Sequence, residues 1–515
     1  MTWLFNAFYI AQYIPGDILK NVVPDLQVFG DYVVSEEIFS WVADAERNCP
    51  HIEQFDAFGN RINKLVTTNG WKKLKDIAAK EGLFSRIIQF SKYYLYCPSS
   101  AVFTCPLAMT DGLARVLEIY EPDHNVLQHL TTRDPSQFWT SGQWMTERSG
   151  GSDVSGTETF ATKVSNEINK YLISGFKWFS SATDSNVAIL LARENETENL
   201  SCFLGYALPT AELELNGLHA ELIGPRTRGV PVIATVLTIT RIHNSVSAIS
   251  FLRRALEIAK EFSKVRKVSG TLLHNLPAHV RTLAEIEVQL RAVMQFTYFC
   301  VSLLGKVECH VATKEEKFLL RILTSVVKAA TAKICFAGVS ECMEGLGGVG
   351  YLENEPEINI ARLERDAQVL SIWEGTTNVL SDDFIRALKR RQDVSLQILT
   401  GVIEKLTFSA TTGSLAITGA YLRAEFKNWK THVERTNVET LRIQARVVLL
   451  TFNDLICGSL LVADAARDND IIATEVARRF VFKNDNTTSF GQKSLVFDYA
   501  SWSLGMLIRM DWKFP

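Results

Sequence analysis

The 515-residue sequence is poor in the signatures that announce chemistry most simply. Its nine histidines contain no HxxxH or HExxH spacing, and neither a GxSxG motif nor a Ser-His-Asp arrangement is present. The patterns of a zinc protease and of an α/β-hydrolase are therefore missing. Nine cysteines are scattered from Cys49 to Cys457 without a CxxC pair. An odd, dispersed set fits reduced intracellular thiols and supplies neither a disulfide framework nor a metal site. Charge of one sign is lacking as well: a net charge of -3 with 22% charged residues gives no dominant pull toward nucleic acid or acidic membranes. The uncharged run LTFSATTGSLAITGAYL, residues 406–422, is diluted by Ser, Thr and Gly and falls short of a spanning helix. The opening MTWLFNAFYIAQYIPGD is apolar but carries no basic residue, unlike a secretory or transit segment, and its aromatics are expected to pack on the body. These absences predict a soluble intracellular protein without a membrane span, and leave cytoplasm and mitochondrion equally open.

What is present is a chain 47% hydrophobic, long enough for several cores, with no internal repeat, low-complexity tract or Pro-rich linker. Through residue 140 the apolar residues recur mostly at helical spacing, as with Trp71, Leu74, Ile77, Ala78, Leu83 and Ile87. From 141 to 234 the texture changes to Gly, Ser and Thr with short β-rich runs: KYLISGFKWFSS, NVAILLAR, SCFLGYAL, AELELNG and VPVIATV. Helical periodicity resumes near Ile239, suits a bundle through residue 390, and continues in a further helical tract over 391–515. The expected fold is mostly α with a middle β domain.

Three stretches are candidates for chemistry. In WMTERSGGSDVSGTET, residues 144–159, the glycines allow close backbone approach to a flat or anionic ligand, and the hydroxyls and amides suit its polar edges. A surface turn with Asp and Ser caps explains the same composition equally well. In QVLSIWEGTTN, residues 368–378, Glu374 follows Val369, Leu370, Ile372 and Trp373, and a carboxylate on an apolar rim is shifted toward the range of a general base. A solvated Glu at a helix end is the bland alternative. GLGGVG, residues 345–350, has the G-x-G-x-x-G spacing but follows a long helical pattern, so a glycine-rich helix terminus is the better reading.

Four collinear motifs make the chain resemble the acyl-CoA dehydrogenase family: MTERSGGSDV, GFKWFSSA (175–182), VRKVSG (265–270) and SIWEGTTN. Within that family, CPLAMTDGLARVLE (105–118), KWFSSA and the extra helical tail are most similar to the AidB-like branch. The resemblance implies an N-terminal helical domain, a middle β-barrel, a four-helix bundle and an additional helical tail domain. It implies FAD as cofactor and oxidation of the α,β bond of an acyl-CoA, with Glu374 as base and flavin N5 as hydride acceptor. Gln143, Met145, Thr146, Gly151 and Ser152 would contact the flavin, flanked by Phe179 and Ser181. Arg266 and Gly348 would reach the cofactor of a neighbouring subunit, while Thr376 and Asn378 would touch FAD after the base. Ser152, Arg241 and Gly375 would meet the acyl-CoA. The implied partners are an electron-transferring flavoprotein or oxygen as acceptor and a second copy, in a homodimer or homotetramer.

The chain departs from the family's pattern near Leu208–Ala211, where relatives carry a further segment; a shortened barrel with an unpaired edge is the expectation. In VRKVSG, Ser269 replaces the family's usual Phe. Two other functions stay open at this point: a catalytically weak acyl-CoA or fatty-acid sensor, and an AidB-like DNA-associated flavoprotein. The latter is disfavoured by a tail from 381 to 515 with only about three more basic than acidic residues.

Overall fold

The computed structural model describes residues 16–48, 50–82, 86–165, 167–182, 184–195, 199–206, 212–353, 359–468 and 470–483. The chain divides into two compact units, one from Val28 to His243 and one containing Asn244 onward.

Helix α1 (Gly16–Tyr32) belongs to the second unit up to Gln27, and the first unit then holds α2 (Glu36–Arg47), α3 (Asn69–Lys80), α4 (Arg86–Tyr96), α5 (Thr104–Tyr120) and α6 (Asn125–Thr131). Hydroxyl caps start two of them: Ser35 accepts from the Ile38 amide and Thr68 from the Trp71 amide. Between α2 and α3 lies a hairpin of β1 (His51–Phe55) and β2 (Arg61–Val66), closed by Asp56, which accepts from the amides of Phe58 and Asn60. Its mostly exposed side chains lack the apolar alternation by which a strand is read from sequence.

Six strands follow: β3 (Ser141–Trp144), β4 (Phe160–Lys163), β5 (Lys170–Lys177), β6 (Val187–Glu194), β7 (Leu200–Tyr206) and β8 (Leu213–Leu222). The run NVAILLAR forms β6, buried on both faces. Val187, Ile189 and Leu191 join a core with α5 and α6, and Ala188, Leu190 and Ala192 join the barrel interior. One edge of β6 pairs with β7; the other is shared by β3 at its start and β4 at its end, both parallel to it. The ladder continues β4–β5–β8–β7 and returns to β6, so five strands close into a ring. Among the described residues β7, the strand before the departure, has partners on both sides, whereas β3 pairs with β6 alone. The segment Leu208–Ala211 itself lies outside the described residues.

The run VPVIATV is helix, not strand. It opens α7 (Gly229–Val265), where Pro231 falls in the first turn and removes an amide that has no intrahelical partner there. Val232, Ile233 and Val236 then pack at helical spacing into the core that covers β6. Their β-branched character suited a strand, and burial overrode it.

In the second unit α7 continues beside α8 (Pro277–Glu308), α9 (Lys314–Gly345), α10 (Ile360–Val369) and α11 (Thr377–Arg390). A capping box between Thr313 and Glu316 starts α9. The glycine-rich GLGGVG ends that helix and forms a short 3-10 turn, Gly347–Tyr351. The tail is helical too: α12 (Gln392–Thr407), α13 (Ala416–Arg435), α14 (Val438–Ile443), α15 (Ala445–Asp468) and α16 (Ile471–Val481), with α15 packed against α8, α11, α12, α13 and α16. By length and composition α7, α9 and α15 could each cross a membrane, but 72%, 78% and 67% of their apolar windows are buried inside the protein. All eight described cysteines are free.

The bundle core holds an ion cluster. Glu287 accepts from Arg253 at 2.9 Å, Lys260 at 2.9 Å and Arg291 at 2.8 Å. Burial pushes its carboxyl up, but the three cations outweigh burial and hold it well below the usual range. Glu287→Gln leaves Glu257 to balance three buried cations, and we expect a loss of about 3–5 kcal/mol in urea unfolding at neutral pH. Because the folded-state pKa is depressed, the carboxylate's contribution is present above its unfolded pKa and lost as pH falls through the folded one. The gap between variant and wild type should accordingly narrow in acid.

Candidate functional site

The glycine-rich loop after β3 is fixed by the first residue that follows the Met-Thr pair. Glu147 is 5% exposed and accepts from the Glu158 amide at 2.6 Å, the Thr159 amide at 3.2 Å and the Thr159 hydroxyl at 2.6 Å. Its fourth donor is Lys177 Nζ at 2.7 Å, which is 0% exposed and also donates to the Leu191 carbonyl at 3.0 Å. Burial raises the Glu147 carboxyl, yet the bonds from Lys177, Thr159 and Glu158 hold it below its ordinary value. Burial in turn lowers Lys177, with Glu147 opposing it. From the far side Arg193 donates to the carbonyls of Thr157 and Ser155. Asp153 caps a short turn by accepting from the Ser155 amide at 2.9 Å.

This anchoring brings together most of the residues assigned to the flavin. The Trp178 amide donates to the Thr146 carbonyl at 2.8 Å, tying the loop to GFKWFSSA. A Cβ on Gly151 would sit 2.5 Å from Thr146 Oγ1, so a side chain there would displace the Thr146 hydroxyl. Phe179 has φ +50° and Ala182 φ +54°, so the segment makes a turn disfavoured for side-chain-bearing residues. Phe179 is 69% exposed and stacks on Trp178 with centroids 4.6 Å apart. Gln143 Oε1, Trp144 Nε1 and Ser180 Oγ are buried with no hydrogen-bond partner in this structure. Met145 packs on the core, Ser181 is half-buried, Ser152 is exposed, and Arg241 is half-buried on α7.

In the second unit Glu374, Gly375, Thr376 and Asn378 share the turn into α11. Glu374 has φ +57° and Gly375 φ +99°. Lys328, 1% exposed on α9, donates to the carbonyls of Trp373 and Gly375, each at 2.7 Å. Thr376 occupies the N-cap position of α11. Asn378 Oδ1 accepts from Arg446 of the tail at 2.5 Å. Arg266 and Gly348 stand on separate loops: Arg266 opens a tight turn with positive φ at Ser269 and Gly270, and Gly348 lies in the 3-10 turn after α9.

Glu147, Lys177 and Lys328 were not among the candidates. A signal existed for the lysines: each interrupts an otherwise buried apolar pattern, Lys177 on the inward face of β5 with Tyr171 and Ile173, and Lys328 among Val326, Val327, Ala329 and Ala330.

A closed β-barrel followed by a long-helix bundle, with a turn-borne glutamate in the second unit, defines an acyl-CoA dehydrogenase fold. Residues 142–220 match the acyl-CoA dehydrogenase middle domain and 227–389 its C-terminal domain, while 19–134 match the adaptive response protein AidB N-terminal domain. The chain belongs to the acyl-CoA dehydrogenase family and is AidB-like within it. It is 38% identical over 437 residues to acyl-CoA dehydrogenase family member 11 of Caenorhabditis elegans, covering 75% of this chain and 70% of the relative. To the putative acyl-CoA dehydrogenase AidB of Escherichia coli (strain K12) it is 26% identical over 408 residues, covering 68% and 71%. The crystal structure of Caenorhabditis elegans ACDH-11 in complex with C11-CoA superposes with a TM-score of 0.87 at 33% identity, covering 96% of this chain and 94% of that one.

Lys177→Met leaves Glu147 buried without its cation, and we expect a loss of about 3–5 kcal/mol in thermal or urea unfolding. The double variant Glu147→Gln/Lys177→Met removes both charges and should be less destabilised than the sum of the single variants, a coupling read directly from a double-mutant cycle.

Proposed function

We propose that this chain oxidises the α,β bond of an acyl-CoA thioester with Glu374 as the base. The observation that carries the reading is the placement of Glu374, within a family of acyl-CoA dehydrogenases, on a turn whose two flanking carbonyls are held by a buried lysine. An α proton is weakly acidic, and a carboxylate already fixed by its backbone loses little freedom on meeting it. Gly375, Ser152 and Arg241 are the groups we assign to the acyl-CoA.

FAD is the cofactor of this reading, and when bound it supplies the two-electron acceptor. The first unit fits such a group: Gln143 Oε1, Trp144 Nε1 and Ser180 Oγ need polar partners, and the stacked Trp178–Phe179 pair offers a flat face. Gln143, Met145, Thr146, Gly151 and Ser152 would hold it from the loop, with Phe179 and Ser181 flanking. By the family resemblance Thr376 and Asn378 would touch FAD after the base, while Arg266 and Gly348 would reach the cofactor of a neighbouring subunit. The Asn378 side-chain oxygen already accepts one bond from Arg446, which leaves its second lone pair, its amide nitrogen and its backbone for such a contact. The electrons would pass to an electron-transferring flavoprotein or oxygen, and the assembly would be a homodimer or homotetramer.

C11-CoA, present in the nematode relative's structure, is the natural first probe. Purified protein should show a flavin spectrum that bleaches when C11-CoA is added without oxygen. Glu374→Gln should keep the flavin and slow bleaching by roughly 100-fold or more. A flavin-loaded wild type that no acyl-CoA of any chain length reduces would overturn the reading.

A further inference from the structure

Two carbonyls flanking one residue converge on a single donor only when the chain reverses between them. At Trp373 and Gly375 they do so, and the donor is Lys328 Nζ, 2.7 Å from each. The residue between them is Glu374, which with Gly375 forms two successive left-handed positions. That region is disfavoured for a residue with a side chain, so the turn needs an external restraint to persist. An ammonium has three donors and bridges two carbonyl oxygens that would otherwise repel each other. Lys328 is itself fixed: it lies mid-helix in α9, buried among Val326, Val327, Ala329 and Ala330, and α9 packs on α8, α10 and α11.

We infer that Lys328 is a positioning residue for Glu374: by clasping the carbonyls of the residues before and after it, Lys328 sets the direction in which the carboxylate leaves the turn. This rests on Glu374 being the base, as proposed above. In the step concerned the α C–H bond breaks, its proton goes to the Glu374 carboxylate, and its electron pair stays on the acyl-CoA as the enolate. In D2O the reverse step returns a deuteron. Exchange of the α hydrogen therefore reports proton removal separately from net oxidation.

The test uses full-length, flavin-loaded protein with C11-CoA and the variants Lys328→Met, without donors, and Lys328→Gln, with an uncharged donor. Alpha-hydrogen exchange, kcat, KM and Tm are measured for each. For Lys328→Met, exchange and kcat should both fall about 100-fold with KM within about threefold of wild type. Lys328→Gln should recover about tenfold of that loss, because one donor can still meet one carbonyl. A folded, flavin-bound Lys328→Met that exchanges within about threefold of wild type sinks the inference, as does a change confined to KM or Tm. Should Lys328→Met fail to fold, Lys328→Gln decides alone: kcat about tenfold down with KM unchanged supports the inference, and wild-type kcat overturns it. A Glu374→Gln protein that exchanges at the wild-type rate removes the base assignment itself. A Glu374-dependent enzyme indifferent to Lys328→Met removes only the positioning role.

Discussion

The ion pair between Glu147 and Lys177 is the constraint on which the first unit's loop geometry depends. A lysine enclosed in a β-barrel requires a carboxylate and further acceptors, because an unpaired buried charge costs several kcal/mol. Glu147 meets that requirement and has lone pairs left over, which accept from Glu158 and Thr159 at the end of the same loop. One carboxylate thus fixes both ends of the glycine-rich segment, while Lys177 leads directly into Trp178 and Phe179. The close fit continues at Gly175, where a Cβ would meet Thr159 Cα at 2.7 Å. Pairing inside the barrel and display outside it are consequences of the same four hydrogen bonds.

The second unit solves a similar problem with different acceptors. Lys328 is as buried as Lys177, but the partners that matter for the site are backbone carbonyls of the turn bearing Glu374. In both units a cation costly to bury sits just behind a segment assigned to function. Both segments contain residues at positive φ, namely Phe179 and Ala182 in one and Glu374 and Gly375 in the other. Left-handed backbone at side-chain-bearing residues persists only where its surroundings over-determine it, and at Glu374 the buried Lys328 ammonium provides part of that determination.

Much of this was legible in the sequence, for identifiable reasons. NVAILLAR is apolar at every position but its ends, and such a strand must be covered on both faces. The four motifs were legible through their collinear resemblance to a known family, since composition alone left a surface turn and a solvated helix-end Glu open. VPVIATV was misread because β-branched residues suit a strand, and nothing local reports that Pro231 would fall in a first helical turn. The hairpin His51–Val66 was missed because its side chains face solvent and leave no alternation. At β7 the expected open barrel edge failed for a topological reason: β6 shares one edge between β3 and β4, so the ring closes with five strands. Strand count from sequence cannot reveal an edge used twice.

The lysines show where pattern reading has more to give. A lysine on a buried face is usually set aside as a side chain whose stem packs while its head reaches water. That explanation fails at Lys177 and Lys328, which are 0% and 1% exposed, so each head group must be answered within the protein. An interior cation therefore implies acceptors held at fixed distance, and fixed acceptors imply a segment that cannot relax. Where that segment also carries a carboxylate in a left-handed turn, as at Glu374, the acceptors that make the buried charge tolerable are the same carbonyls that fix the backbone beside the carboxylate.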